Sequence, residues 1–242
     1  MSAALASHRG DERITPAVQD YLKAIYQLRA EEPGSATVSV QRLAERLGVA
    51  GPSVTNMVKR LAELGLARHE RYHGAELTPA GERIALEVVR HHRLLEQFLV
   101  EALGYAWDEV HEEADRLEHH ISEEMEARIA ATLGYPTADP HGDPIPDPEG
   151  RLPYGELPRL LDLEPGSRGT VRRVGDQHPE RLRYLDSLGL RPGARVELRA
   201  ALPFDGPLRI DVDGADHLLG RPLAAAIRVE PDARASEPGG RR

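Results

Sequence analysis

The chain has 242 residues, of which 40% are hydrophobic and 29% charged, and it contains no cysteine. This composition is typical of a globular protein of one to three domains, and it excludes disulfides, thiolate ligands and a thiol nucleophile. No apolar run is long enough to cross a bilayer, and the N-terminal residues lack the apolar core of a signal peptide, so we expect a cytoplasmic protein. The net charge of −9 comes from residues 76–150, which carry −13, whereas residues 1–75 and 151–242 carry +2 each. The overall acidity therefore does not exclude DNA binding.

The first predicted element is a helix in TPAVQDYLKAIYQLRAE, with Thr15 as its cap and Pro16 at its first position. A short helix, VQRLAERLG, follows between the cap Ser39 and the stop Gly48. After the tight turn VAGP, a further helix, PSVTNMVKRLAELG, ends at Gly65. The chain thus predicts three helices, the last two separated by a sharp turn.

Two strand-like runs in LARHERYHGAELT, around His73 and Gly74, predict a β-hairpin after these helices. Helix, sharp turn, helix and hairpin is the order of a winged helix-turn-helix. We therefore expect a DNA-binding domain over residues 13–78, preceded by a flexible N-terminus over residues 1–12.

Two long helices are predicted over residues 79–136. One runs from a cap at Thr78 to Gly104, and the other from a cap at Asp108 to Gly134. Residues 137–156, rich in proline, glycine and aspartate, predict a linker. Short strands and one helix, PERLRYLDSLG, then predict a small SH3-like barrel over residues 157–231, followed by a flexible tail over 232–242. The fold class is mainly α with a small β domain.

The segment HEEADRLEHHISEE, residues 111–124, holds three histidines and six carboxylates but only one arginine. On one continuous helix, potential ligands fall within an arc of roughly a quarter of a turn; they are His111, Asp115, Glu118, His119 and Ser122. The preceding helix presents His92 and Glu96 on one face at i, i+4. Two antiparallel helices with such faces are a recurrent metal-binding arrangement.

Two other interpretations of this segment are a solvated acidic face and a zinc peptidase. The first is weakened because the histidines and acids recur at ligand spacings. The second rests on the likeness of HEEAD to the peptidase motif H-E-x-x-H, but Asp115 stands in place of the second histidine, and the helix-turn-helix stays unexplained. Oxygen and imidazole ligands without sulfur suit Mn²⁺, Fe²⁺ or Zn²⁺, and carboxylate-rich sets favour Mn²⁺.

A resemblance to a known family is carried, in chain order, by DYLKAIYQL, GPSVTNMVKRL, LTPAGERIA, RHHRLLEQFL, VHEEADRLEHHIS and GDPIPDPEG. Over roughly residues 14–230 the chain resembles the diphtheria toxin repressor and manganese transport regulator family of metal-dependent repressors. The resemblance implies a homodimer with a winged helix, a helical dimerisation domain that holds metal, and an SH3-like domain of the FeoA type. It also implies repression of metal-uptake genes from a palindromic operator in double-stranded DNA.

The resemblance further implies two metal sites. The positions that match the primary site are Asp20, Asp115, Glu118 and His119. The iron branch of the family has methionine and cysteine where this chain has Asp20 and Asp115, and the manganese branch has carboxylates, so we expect Mn²⁺, with Fe²⁺ as the alternative. The positions that match the ancillary site are His92, Glu96 and His111, with His178 or Glu180 as candidates to complete it.

Lys23 departs from the pattern of the compact manganese regulators, which have a glutamate at this position. This departure predicts separate metal sites instead of a close two-metal cluster.

The helix that begins at Pro52 is the predicted reading helix. Its outward residues are expected to face DNA, the small polar ones near base edges and the basic ones at phosphates; they are Pro52, Ser53, Thr55, Asn56, Lys59 and Arg60. Alternatively, these are ordinary surface residues. A winged-helix regulator that does not depend on metal is the main rival, and a chelator distinguishes the two because it would release only the metal-dependent protein from DNA.

Overall fold

The structure is a computed structural model that describes residues 13–31, 34–70, 74–153, 155, 157–175 and 178–232. The chain divides into two compact units. The first comprises Met1–Leu95, Asp115–Tyr135 and Ile145–Leu152, and the second comprises Glu96–Ala114, Pro136–Pro144 and Pro153–Arg242. The predicted flexible N-terminus lies outside the described residues, as does all of the predicted tail except Asp232. Within the described residues, no helix is long and apolar enough to span a membrane.

The first unit begins with three helices: α1 (Pro16–Glu31), α2 (Val40–Leu47) and α3 (Gly51–Glu63). Their starts and stops agree with the sequence prediction to within one residue, because α3 begins at Gly51 and ends at Glu63. The Ser39 hydroxyl accepts a hydrogen bond from the first turn of α2, and Gly48 ends α2 with a φ of 65°, which a residue without Cβ adopts freely. The three helices bury a common set of apolar side chains, which includes Val18, Leu22, Ile25, Leu43, Val54, Val58 and Leu61.

A hairpin follows, with β1 (Ala67–Glu70) antiparallel to β2 (Gly74–Leu77). Residues 71–73, including the predicted turn residue His73, lie outside the described residues. Gly74 has a φ of 104°, and a Cβ there would sit 2.1 Å from the Val38 carbonyl oxygen, so the close approach of the two backbones requires glycine. The predicted order of a winged helix-turn-helix is confirmed.

The predicted first long helix is confirmed as α4 (Pro79–Leu103), capped by the Thr78 hydroxyl and followed by Gly104 with a φ of 74°. The second was wrong, because two helices occupy that segment: α5 (Val110–Leu117) and α6 (Glu123–Thr132). Ser122 has extended backbone angles, and its side chain accepts a hydrogen bond from the Met125 amide at 3.2 Å. Three glutamates in the first turn of α6 stabilise this new N-terminus.

The second unit contains a five-stranded antiparallel sheet in the order β6-β5-β4-β3-β7. The strands are β3 (Arg168–Val174), β4 (Arg195–Ala201), β5 (Leu208–Val212), β6 (Ala215–Leu219) and β7 (Ile227–Pro231). The helices α7 (Pro179–Ser187) and α8 (Arg221–Ala226) accompany it. The predicted strands and α7 are confirmed, whereas β6 and α8 were not predicted.

Part of the predicted linker is packed within the second unit. The Asp139 carboxylate accepts backbone hydrogen bonds from His141 and Asp143, at 2.8 and 2.9 Å. The carbonyl of His141 accepts a hydrogen bond from the amide of Val174 in β3 at 2.8 Å. Asp139 and His141 are both buried, so this stretch adds to the core of the unit.

Candidate metal centre and reading helix

Side chains of α1 contact the segment that follows α5. His119 Nε2 lies 2.8 Å from Asp20 Oδ1, although the two residues are 99 positions apart. Glu118 Oε1 lies 3.4 Å from the same nitrogen. The ligand atoms of Asp20, Glu118 and His119 all lie within 4.8 Å of one another, a spacing that suits coordination of one cation. The proximity that the sequence prediction requires is present, while metal binding by these residues stays a prediction.

The end of α5 explains how two consecutive residues reach this cluster. On a continuous helix, Glu118 and His119 would point about 100° apart. Because α5 ends at Leu117, both lie in the turn that follows, and both side chains face α1. The Glu118 side chain is 2% exposed, whereas that of Asp20 is 47% exposed, so the cluster is open to solvent on the side of α1. Ser122, which the helical wheel put beside them, is the cap of α6.

Lys23 lies one helical turn after Asp20 and contacts the side of Glu118 that faces away from His119. Its Nζ donates hydrogen bonds to Asp115 Oδ1 at 2.9 Å and to Glu118 Oε2 at 2.7 Å. His92 Nδ1 lies 2.6 Å from the same Glu118 oxygen and 3.2 Å from Asp115 Oδ1. The sequence marked Lys23 only as a departure from a pattern, and the available signal was a basic residue one helical turn after the predicted ligand Asp20.

The opposite charges of Lys23 and Asp115 stabilise each other's charged form. Burial by itself lowers the pKa of Lys23, but the adjacent Glu118 and Asp115 carboxylates raise that pKa above its ordinary value, so the ammonium stays protonated. Burial by itself raises the pKa of Asp115, but the hydrogen bond from His92 and the charge of Lys23 hold that pKa well below its usual range. The Asp115 carboxylate is therefore ionised at neutral pH and is already paired with a cation.

The predicted ancillary residues make contacts within each of the two units. Within the second unit, His111 Nδ1 lies 3.0 Å from Glu96 Oε1, and the Glu96 side chain is buried. Within the first unit, His92 contacts Asp115 and Glu118, as described above. His178 precedes α7 and Glu180 lies in its first turn, both exposed. Among the described residues, neither belongs to a group of three or more ligand atoms within 4.8 Å of one another, and their role stays a prediction.

A second histidine cluster, which was not predicted from the sequence, lies around His91 of α4. Ligand atoms of Glu87, His91 and Glu123 lie within 4.8 Å of one another. His91 Nε2 lies 2.9 Å from Glu126 Oε2, and Arg90 forms an ion pair with the other oxygen of Glu126. The available signal was the adjacent pair His91-His92. Because neighbouring residues of a helix point to different faces, the two histidines were bound to have different partners.

The predicted reading helix, α3, presents five of its six predicted residues to solvent; they are Pro52, Ser53, Asn56, Lys59 and Arg60. Thr55 is half-buried, and its hydroxyl donates to the carbonyl of Gly51 at 3.0 Å. Val54 and Val58 are fully buried on the opposite face. The arrangement leaves one polar and basic face of α3 available for DNA, and these contacts stay predictions.

A winged helix-turn-helix, joined to helices that carry a carboxylate and histidine centre, defines a metal-dependent DNA-binding regulator. Three family descriptions match successive segments: the N-terminal DNA-binding domain of the iron-dependent repressors over residues 13–75, their metal-binding and dimerisation domain over 78–147, and the FeoA domain over 159–231. The chain is 36% identical over 223 residues to the iron-dependent repressor IdeR of Mycobacterium tuberculosis, a match that covers 87% of this chain and 95% of that protein. The chain belongs to the iron-dependent repressor family.

Solved structures are similar over the same range. A manganese-dependent transcriptional repressor in complex with manganese is 44% identical, with a TM-score of 0.82, and the match covers 88% of this chain and 99% of that one. The manganese regulator SloR is 32% identical, with a TM-score of 0.74, 90% of this chain and 100% of that chain being covered. These matches confirm that the chain is a metal-dependent DNA-binding repressor.

Proposed function

We propose that this repressor responds to Mn²⁺ in the cytoplasm, and that it binds a palindromic operator as a homodimer when the ion is bound. Its targets would be genes for metal uptake. The observation that carries the proposal is the 2.8 Å approach of His119 Nε2 to Asp20 Oδ1, which joins the first helix of the DNA-binding segment to the residues after α5.

The donor atoms fit a hard divalent cation. Asp20, Glu118 and His119 offer carboxylate oxygen and imidazole nitrogen, and Asp115 adds a further carboxylate beside Glu118. Mn²⁺ and Fe²⁺ accept such sets, and the absence of sulfur ligands in a chain without cysteine favours Mn²⁺. The manganese-dependent repressors of similar structure support the same choice.

The mechanism that we propose is a shift between two populations. Asp20, Glu118 and His119 would hold the cation, whose positive charge would link α1 to the residues after α5. Because Asp20 lies on α1, which packs with α2 and α3 in one core, its attachment fixes the position of the reading helix. Ligand binding to the competent state alone then raises DNA affinity. The exposed face of α3 supplies Ser53 and Asn56 for base edges and Lys59 and Arg60 for phosphates.

An iron response is the second candidate, because relatives such as IdeR are iron-dependent repressors. The two carboxylates Asp20 and Asp115 favour manganese over this alternative. In the usual affinity order Fe²⁺ binds more tightly than Mn²⁺, so a preference for Mn²⁺ would have to come from the geometry of this site.

The test is a DNA-binding titration on a duplex selected from a random library by the full-length protein in MnCl₂. Fluorescence anisotropy would compare Mn²⁺, Fe²⁺ under anaerobic conditions, Co²⁺, Zn²⁺ and a chelated control. We expect saturating Mn²⁺ to raise DNA affinity at least about 100-fold, within the range that a two-state shift allows. Binding that a chelator leaves unchanged would refute metal control, and a response to Fe²⁺ at lower free concentration than to Mn²⁺ would favour the iron alternative.

A further inference from the structure

The basic residues of this chain are almost all arginines. Of the 31 lysines and arginines, two are lysines, Lys23 and Lys59. Lys59 is exposed on α3, whereas Lys23 is 8% exposed on α1. The two amines therefore differ in environment, and the buried one lies among the proposed metal ligands.

The Lys23 ammonium contacts the same carboxylates that a divalent ion would use. Its Nζ bonds Asp115 Oδ1 and Glu118 Oε2, at 2.9 and 2.7 Å, and lies 3.1 Å from His92 Nδ1. Glu118 turns its other oxygen, Oε1, towards His119. Glu118 is thus shared between an ammonium on one side and the cluster with Asp20 on the other.

We propose that Lys23 is a built-in competitor of the metal: its ammonium neutralises Asp115 and Glu118 in the metal-free protein, and it has to leave Asp115 before a divalent ion can use that carboxylate. Lys23 thereby raises the metal concentration at which the repressor responds. The inference rests on the proposed metal-dependent function, and it adds a residue that sets the metal concentration needed for the response.

Two physical properties make lysine suited to this role. An ammonium is a compact charge on a flexible stem, so it can withdraw by rotation of side-chain bonds, whereas a guanidinium forked onto a carboxylate is harder to displace. Two positive charges at short range also repel each other strongly in a partly buried site. Lys23 and Asp20 are one turn apart on α1, so the helix contacts the cluster at two points: Lys23 bonds Asp115 and Glu118, and Asp20 lies against His119.

The first experiment is a calorimetric titration of MnCl₂ into the full-length protein without DNA. Lys23→Met keeps the aliphatic stem and removes the charge, and we expect Mn²⁺ to bind about tenfold more tightly or better, because repulsion between nearby charges is lost. Lys23→Arg keeps the charge, and its affinity should stay nearer to that of the wild type than to that of Lys23→Met. Arg29→Met removes a positive charge from α1 outside the cluster and should leave the affinity unchanged. Equal or weaker Mn²⁺ binding by Lys23→Met would overturn the proposal.

A second measurement uses the wild-type chain and so does not depend on how the variants fold. Amine acetylation followed by mass spectrometry would compare Lys23 with Lys59 as the internal reference. We expect Lys23 to be protected without metal and to react faster after MnCl₂ is added, because its ammonium has been displaced. Unchanged protection of Lys23 in protein saturated with Mn²⁺ would contradict displacement.

Two outcomes distinguish a failure of the proposed function from a failure of the role of Lys23. If the wild type binds no Mn²⁺ and its DNA affinity ignores chelators, the proposed function itself fails. If the wild type binds Mn²⁺ but Lys23→Met binds it no more tightly, only the role of Lys23 fails.

Discussion

Two adjacent histidines of α4 belong to two clusters in which a buried glutamate pairs with a basic side chain, arginine in one cluster and lysine in the other. His91 contacts Glu126, which pairs with Arg90, and Arg90 also donates to the carbonyl of Pro146 at 2.6 Å. His92 contacts Glu118, which pairs with Lys23. Both clusters lie in the first unit, and both bury a histidine and a glutamate.

The clusters differ in the basic side chain that pairs with the glutamate and in the exposure of their side chains to solvent. The guanidinium of Arg90 is fixed by two acceptors, and the side chains of His91, Arg90 and Glu126 are at most 12% exposed. Beside Lys23, by contrast, the Asp115 side chain is 48% exposed. A permanently charged, forked group makes a structural link, and a flexible ammonium beside an exposed carboxylate makes an exchangeable one. We therefore expect the cluster of Arg90, His91 and Glu126 (the Arg90 cluster) to stabilise the fold. We expect the cluster of Lys23, His92, Asp115 and Glu118 (the Lys23 cluster) to regulate the metal response.

The largest expected effect comes from Asp115→Ala in the Lys23 cluster. We expect the stimulation of DNA binding by Mn²⁺ to fall by a factor of about 100 or more, since a predicted metal ligand and the partner of Lys23 are both lost. Fluorescence anisotropy on the selected duplex measures it, and size-exclusion chromatography checks that the oligomeric state is that of the wild type. Glu124→Ala removes an exposed carboxylate of α6 and serves as the matched control. An undiminished metal response in Asp115→Ala would contradict the assignment of regulation to this cluster.

Glu126→Gln should affect stability, because it leaves the Arg90 guanidinium without its carboxylate. We expect a loss of about 1–3 kcal/mol in the free energy of unfolding, measured in urea. Burial raises the pKa of Glu126, but its hydrogen bond with His91 and the charge of Arg90 lower that pKa below the ordinary 4.5. The stabilisation is therefore complete above pH 4.5 and is lost as the pH falls through the lower folded value, so the wild type and Glu126→Gln should converge in acid. A difference that grows as the pH falls would refute this link.

Arg60→Ala tests the exposed face of α3, which lies outside both clusters. We expect DNA affinity to fall about tenfold and the salt dependence to decrease by about one charge, as for the loss of a phosphate contact. Calorimetry without DNA should give the wild-type Mn²⁺ affinity. An unchanged salt dependence would remove Arg60 from the DNA contacts.

Ser122→Ala tests the helix break that lets Glu118 and His119 enter one cluster. The loss of the cap should cost about 1 kcal/mol of unfolding free energy, a typical value for an N-cap serine. Chemical denaturation measures the cost, and Ser187→Ala, outside this segment, provides a comparison. A stability equal to that of the wild type would argue that the break does not depend on this cap.

Local signals in the sequence predicted most of the fold. Proline at helix starts, Ser39 and Thr78 as caps, and glycine at helix ends gave the helices of the first unit because these signals act within one turn. The helix break at Ser122 was missed because the periodicity of the acidic segment continues across it, although Ser-Glu-Glu is a capping signal. Strand β6 was missed because most of its side chains are exposed, even though Asp213-Gly214, with φ values of 47° and 93°, marks the hairpin turn.

The site was only partly predictable from the sequence. The resemblance selected Asp20, Glu118 and His119, which the structure brings together. The place of Lys23 between Asp115 and Glu118 depends on how α1 packs beside residues 92 positions further along the chain, and no local pattern reports that. The role of His178 and Glu180 stays a prediction for the same reason.

We expect a cation held by Asp20, Glu118 and His119 to fix α1. Hydrogen–deuterium exchange of the full-length protein with MnCl₂ and with a chelator tests it directly, with Asp20→Ala as the matched variant. We expect Mn²⁺ to slow exchange in α1 and in residues 117–122 of the wild type, and to leave α1 of Asp20→Ala unchanged. Equal exchange of α1 with and without Mn²⁺ in wild-type protein that binds the ion would contradict the account.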